Sequence, residues 1–392
     1  LAQQNLAELP LAAAPNLRQY QLLKQALADL RQQAAIFVPK TRLSFPKSLH
    51  PGEQDAQMPE LRQRLQDMGE LTAENVVVNP EAVTLYDEAA VAAAIHLQQQ
   101  QGLQADGVIG RQTQTLLNMT PADKIQLVEL AMERLRWLPE PPPGPQIVVN
   151  IPAFQLWALN SPDDENALSM KVVVGKSPEN QTPILVDRMQ YLEFMPYWNI
   201  PKSILDKEIL PKVQAGHSTL SGQEIELVQR FADETGDEAG NILDDLRHGR
   251  VRARQLPGKK NPLGKVKFVF PNKDDVYMHD TPFRSGFSRD RRDLSHGCVR
   301  VADAGRLAEF VLSDQMGWDK KAIEEAMSAP KTHRVSLKKT IPVLFFYSTA
   351  YAGQDSKLHF YPDIYGYDAV LQEALKKIPL KQLVTKAPVA SG

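Results

Sequence analysis

Residues 139–145 hold five prolines in seven positions, a stretch too stiff and too poor in backbone donors for helix or sheet. It reads as a linker, and the hydrophobic pattern changes across it. Before it, apolar residues recur every three or four positions. After it they recur every second position or in short β-branched runs, so one chain has to hold a helical part and a β part. A length of 392 residues agrees with two or three domains.

On the helical side, Leu17, Tyr20, Leu23, Leu27 and Leu30 share one face and predict an amphipathic helix ending before Pro39. Thr120-Pro121-Ala122-Asp123 sets an N-cap hydroxyl and a first-position proline ahead of Ile125, Val128, Met132 and Leu135. That second helix stops at Trp137-Leu138-Pro139. The two are expected to pair as a scaffold, 1–50 and 119–140, around a self-contained insert, 51–118.

On the β side, 147–149, 154–157, 170–174, 191–194, 266–270 and 275–279 read as strands, a helix follows Asp303, and 343–347 is a last strand. This domain is expected to cover 145–380, with 381–392 a tail. An interruption at 199–264, helical near 204–213 and charged over 233–240, is either a cover over a site or a solvated excursion.

Forty-five Lys and Arg against 47 Asp and Glu exclude a chain-wide nucleic-acid footprint. The apolar run at 343–352 is far short of the ~18–20 residues of a membrane helix. The chain opens Leu1-Ala2-Gln3-Gln4 without a Met, a basic n-region or an apolar h-region, so a leader or anchor is expected to lie outside this sequence. One cysteine, Cys298, excludes internal disulfides and zinc sites that need two thiolates.

A lone cysteine is an inert small hydrophobe or a reagent. Here it sits in Leu294-Ser295-His296-Gly297-Cys298-Val299-Arg300, where glycine permits a tight backbone and the N–H groups of Gly297 and Cys298 could receive an oxyanion. A base is available in His279, which either serves the thiol or is a structural strand-end histidine. If 275–279 is a strand, Tyr277 and His279 share a face. Asp280 could orient the imidazole through its side chain or its carbonyl. His279, His296 and Cys298 could instead ligate zinc. Arg289, Arg291, Arg292 and Arg300 are either a solvated basic face or a site for an anionic substrate.

His279, then fifteen residues, then Ser295-His296-Gly297-Cys298 resembles the signature of the L,D-transpeptidase catalytic domain, the YkuD domain. Many members carry Asn two residues after the cysteine, and this chain has Arg300. The insert, with Gly102-Leu103, Asp106-Gly107-Val108-Ile109-Gly110 and Thr113, resembles the three-helix peptidoglycan-binding module, with Leu97-Gln98 where an aromatic usually precedes the Gln, a departure expected to weaken glycan contact. Arg134-Leu135-Arg136-Trp137-Leu138-Pro139, Pro196-Tyr197-Trp198-Asn199-Ile200-Pro201, Asn261-Pro262-Leu263-Gly264 and His279-Asp280-Thr281-Pro282 extend the likeness to the large Gram-negative, YcbB-like type.

The resemblance implies a multidomain fold: a mainly β catalytic domain, a YkuD-like β-sandwich with flanking helices, plus an α-helical scaffold and a three-helix peptidoglycan-binding module. It implies Cys298 as the acylated nucleophile and His279 as its base, with His296, Gly297 and Tyr277 shaping the oxyanion site. Ser295, Arg300, Arg292, Trp198 and Asp280 are the substrate-binding candidates. The implied reaction takes a tetrapeptide stem at its third residue, usually meso-diaminopimelate, releases D-alanine, and passes the acyl group to an amine, giving 3-3 cross-links; the alternatives are the same acyl chemistry with a lipoprotein lysine or water as acceptor, or a non-catalytic peptidoglycan-binding structural protein. No cofactor is needed. Partners would be peptidoglycan stems and glycan, with other cell-wall synthesis enzymes beside them, no nucleic acid, and a membrane only through an anchor outside this sequence. The setting would be the periplasm, and Cys298 would be acylated by carbapenems.

Overall fold

The computed structural model describes residues 15–72, 83–162, 164, 166–217, 219–229, 246, 251–353 and 357–377. The chain forms two compact units, one of residues 1–142, 150–153 and 347–392, the other of 143–149 and 154–346.

In the first unit, α1 (Arg18–Ala35) and α5 (Pro121–Arg136) share a core of Leu23, Leu27, Leu30, Val128, Ala131, Met132 and Leu135. The start of α5 follows from local chemistry. Thr120 and Asp123 form a reciprocal capping box, and Pro121 occupies a position where no N–H is needed. Between these helices, α2 (Met58–Asp67), α3 (Glu88–Gln100) and α4 (Arg111–Leu117) enclose a separate core that includes Met58, Leu61, Leu65, Tyr86, Leu97 and Ile109. Each large side chain buried there contributes roughly 1.5–3 kcal/mol.

Leu97 is inside that core, so the expected weakening of glycan contact at this position has no basis: the side chain does not reach the surface. Its neighbour Gln98 is also buried and ties down the Asp106-Gly107-Val108 turn, donating to the Val108 carbonyl at 2.9 Å and accepting from Gly107 N–H at 2.9 Å.

The C-terminal part of the chain belongs to this helical unit, a correction to the expectation that the β domain runs to 380. The hairpin β13 (Ala350–Ala352) and β14 (Leu358–Phe360) adds Ala350, Ala352 and Phe360 to the α1–α5 core. Helix α10 (Tyr367–Lys376) is fastened by a buried pair, Arg134 Nη1 to Asp368 Oδ1 at 2.5 Å, and Thr349 Oγ1 donates to the other Asp368 oxygen at 2.6 Å.

The second unit is built on nine strands: β1 (Gln146–Asn150), β2 (Gln155–Leu159), β3 (Leu168–Gly175), β4 (Leu185–Phe194), β8 (Val266–Val269), β9 (Met278–His279), β10 (Asp293–Ser295), β11 (Val299–Val301) and β12 (His333–Phe346). Their order is β10-β3-β11-β9-β8-β4-β12-β1-β2, and β2 also pairs with β3. The strands therefore close on themselves. Val172, Val173, Leu192, Phe194, Val266, Phe268, Val299, Val301, Val343 and Phe345 are fully buried. Helices α8 (Ala304–Val311) and α9 (Lys320–Ala326) flank the strands, each started by an aspartate, Asp303 or Asp319, that accepts a first-turn N–H.

The interruption at 199–264 is an independent layer. It holds a three-stranded sheet, β5 (Trp198–Asn199), β7 (Val251–Gln255) and β6 (Ile225–Gln229) in that order. Its helical piece runs through α6 (Lys202–Ile204), a π turn (Leu205–Ile209) and α7 (Leu210–Gln214). Ile200, Leu205, Ile209, Leu210, Ile225, Leu246 and Ala253 give it a core of its own, which a solvated excursion would lack. The charged tract at 233–240 lies outside the described residues.

Candidate active site

Cys298 lies in the turn between β10 and β11. Gly297 adopts φ +115°, a conformation other residues rarely take, and this lets the chain reverse just before the sulfur. The turn is pinned from several sides. Ser295 Oγ donates to the Cys298 carbonyl at 2.6 Å and accepts from Gly297 N–H at 3.2 Å, while Thr182 Oγ1 donates to the Gly297 carbonyl at 2.7 Å. Of the two expected oxyanion donors, Gly297 N–H is thus already engaged. The Cys298 N–H has no acceptor among the described residues.

Parallel pairing of β9 with β11 sets His279 beside Arg300 and Met278 beside Val299. The expected strand 275–279 is shorter, reduced to Met278–His279, because Asp275 takes φ +52° and Asn272 accepts the N–H groups of Asp274 and Val276 in a tight loop. Tyr277 and His279 are nevertheless neighbours, with ring centres 5.7 Å apart. Tyr277 neighbours Cys298, its carbonyl accepting the Val299 N–H at 3.0 Å, and its backbone N–H and hydroxyl favour the anionic form of the sulfur. Asp275 offers its carbonyl at 4.0 Å from Sγ.

His279 Nδ1 lies 2.5 Å from the Asp280 carbonyl. A carbonyl only accepts, so Nδ1 carries the hydrogen and Nε2 keeps its lone pair. Burial, with Arg300 and Lys267 nearby, pushes the imidazole pKa down to about 3, against the opposing help of the Asp280 carbonyl. Burial pushes the Cys298 thiol up, only partly offset by the two Tyr277 hydrogen bonds and by Lys267 and Arg300. The resting state is therefore a neutral thiol beside a neutral imidazole. No hydrogen bond joins Sγ to Nε2, which fits catalytic contacts that tighten only when substrate arrives.

Asp280 supports the histidine from behind. Its buried carboxylate accepts the Lys265 N–H at 2.9 Å and pairs with Arg284 at 2.6 Å. Gly264, at φ +62°, is required there, because a Cβ would overlap the Asp280 carboxylate. Asp280 thus acts through its carbonyl on the imidazole and through its side chain on the fold, away from a substrate.

The other candidates separate cleanly. Arg300 belongs to the site: its Nε is buried without a partner, and its charge acts on both Cys298 and His279. Arg292 does not, because it is 3% exposed, lies over the Phe154 ring and donates to the carbonyls of Val172, Phe154 and Arg289. Arg291 is held by Asp293. Trp198 packs against the core of the 199–264 layer. His296 turns its Nε2 to Glu208 of the π turn at 2.6 Å, so its ring ties the Cys298 turn to that layer. Among the described residues, no group of three or more His, Cys, Asp or Glu side chains could hold a metal ion.

Sequence motifs overlooked Lys267. It stands opposite His279 in the β8–β9 register, with Nζ 4.1 Å from the centre of the Tyr277 ring.

A closed, mainly β domain presenting one thiol beside a buried, carbonyl-oriented histidine defines a class of cysteine–histidine domain. Residues 144–337 match the family described as the L,D-transpeptidase catalytic domain, YkuD. A Haemophilus influenzae protein named as an inferred L,D-transpeptidase is 30% identical over 281 residues, 68% of this chain and 54% of its own length. The chain thus spans about half the length of that relative. Among solved structures, an L,D-transpeptidase fragment from Xylanimonas cellulosilytica shares 15% identity over 78% of this chain and 100% of its own, with a TM-score of 0.22. One from Stackebrandtia nassauensis shares 12% over 79% and 97%, with a TM-score of 0.27.

Proposed function

We propose that the protein is an L,D-transpeptidase that forms 3-3 cross-links in peptidoglycan through a Cys298 thioester. The observation that carries this reading is the thiol on a pinned turn beside a histidine whose tautomer leaves Nε2 free to take a proton. Sγ attacks the carbonyl of the third stem residue, and its proton passes to His279 Nε2. The bond to D-alanine breaks, and the leaving nitrogen takes that proton. An amine of a second stem then attacks the thioester, surrenders a proton through His279, and restores the thiol. Two easier acyl transfers replace one difficult exchange, and the energy of the first amide is kept in the thioester.

The Cys298 N–H and the Tyr277 hydroxyl are the donors we assign to the developing oxyanion, and Arg300 is the cation we assign to the anionic stem. The 199–264 layer, tied to the nucleophile turn by Glu208 and His296, is read as a cap that excludes water and so favours an amine acceptor. The α2–α4 cluster is read as a peptidoglycan-binding module, and the architecture as the YcbB-like type working in the periplasm, with other cell-wall enzymes as partners.

Mass spectrometry of a disaccharide-tetrapeptide incubated with the protein and with Cys298→Ala tests the proposal. A dimer short of one D-alanine, made by the intact protein alone, is the expected result. A tripeptide without dimer would point to water as acceptor, and no change would move the protein among non-catalytic peptidoglycan binders.

A further inference from the structure

Strand β8 alternates, with Val266 and Phe268 in the core and Lys267 and Val269 on the half-buried face. Antiparallel pairing puts Lys267 across from His279 on one side and across from Glu193 of β4 on the other. Glu193 does not neutralise it, since among the described residues Lys267 has no ion-pair partner, and its ammonium instead rests on the Tyr277 ring. A compact cation kept in a half-buried place without a counter-ion is costly. The arrangement is understandable if the charge acts on its neighbours.

Those neighbours are the reacting groups. The Tyr277 hydroxyl favours an anion at the Cys298 sulfur, and a cation on the ring face draws electron density from the phenol, which strengthens that effect. The same charge favours an anion at sulfur and disfavours an imidazolium at His279. Arg300 works in the same sense from β11, while Asp275 and Glu193 supply opposing negative charge around Tyr277.

We propose that Lys267 is a positioning residue of the acyl-transfer site: it clamps the Tyr277 ring beside the Cys298 turn, and it favours negative charge building at the sulfur. The proposal rests on the reading of Cys298 as nucleophile. As the S–C bond forms and the S–H proton moves to Nε2, the new imidazolium faces two cations, Lys267 and Arg300. It is therefore a strong, short-lived acid, suited to protonating the departing nitrogen as the C–N bond breaks.

The test is the rate of Cys298 alkylation by iodoacetamide, followed by intact mass from neutral to alkaline pH, in the full chain and in Lys267→Met and Lys267→Arg. The Met variant should move the midpoint upward by about 0.5–1 pH unit, slowing alkylation at neutral pH by roughly 3- to 10-fold, and the Arg variant should recover most of the loss. In a Tyr277→Phe background the Met substitution should have a smaller effect. Superimposable wild-type and Met profiles, or an equal shift in the Arg variant, would overturn the proposal. If a circular-dichroism melt shows Lys267→Met unfolded, Lys267→Gln takes its place. Acyl-adduct formation from a tetrapeptide, measured in parallel, keeps the two readings apart: a Lys267-dependent profile without adduct sinks the transpeptidase reading alone, and an adduct with a Lys267-independent profile sinks this one alone.

Discussion

In the helical unit, Arg134, Thr349 and Asp368 close a buried network on themselves; in the β domain, Cys298, His279, Lys267 and Arg300 stand together with their charges unmatched. Asp368 accepts from Arg134 and Thr349, its own N–H donates to Asp363, which also accepts from the Tyr347 hydroxyl, and Arg134 Nη2, without an acceptor among the described residues, belongs to a guanidinium lying over the Tyr347 ring. The second cluster has a thiol raised by burial, a histidine that cannot easily protonate, and two cations, Lys267 and Arg300, with no ion-pair partner among the described residues. A polar cluster that satisfies itself specifies a fold, while one left unsatisfied waits for a ligand to complete it.

The contrast is sharpest for Cys298→Ala. Acyl transfer should fall by about 10⁴-fold or more, a carbapenem should leave no adduct mass, and the unfolding midpoint should hardly move. A mutant that still gained the adduct would remove the thiol from the chemistry. Asp368→Ala should do the reverse, costing about 3–5 kcal/mol in denaturant unfolding because it strands the buried Arg134 charge, with the alkylation rate of Cys298 as in the wild type. An unchanged unfolding midpoint would show that the network is not the fastening it is taken for.

The buried histidine gives the β domain a pH signature. His279 binds fewer protons folded than unfolded between its ordinary pKa near 6.5 and its folded value of about 3. Stability should therefore be full above about 6.5 and decline as pH falls through that window, a slope that His279→Gln should flatten in thermal melts. Glu208→Gln cuts the half-exposed tie to His296 and is expected to raise the donor KM only about two- to five-fold, in line with an exposed pair worth about 0–1 kcal/mol; kcat should stay close to wild type. Arg31→Ala, at a surface pair with Glu129, should cost less than about 1 kcal/mol, the reference point for a charge that does neither job.

What the sequence disclosed follows from how far each cause reaches. The α5 start was legible because Thr120, Pro121 and Asp123 settle it within four residues. The Cys298 turn was legible because Gly297 and Ser295 are its chain neighbours. Lys267 was not, since only the pairing of β8 with β9 brings it to His279. Arg292 looked like a substrate group because four arginines crowd one stretch, and only burial against Phe154 reveals its role. The strand at 275–279 failed for a local reason that alternation hides: the Asn272 side chain takes the backbone donors a longer strand would use.

The helical unit is assembled from both ends of the described chain, with the whole β domain between them. Ala350, Ala352 and Phe360 complete the core that α1 and α5 begin. Residues 350–360 must therefore be made before α1 and α5 are sealed. A chain released after Phe346 would leave Leu23, Leu27 and Met132 without that cover, so residues beyond the β domain decide whether those before it are safe from aggregation.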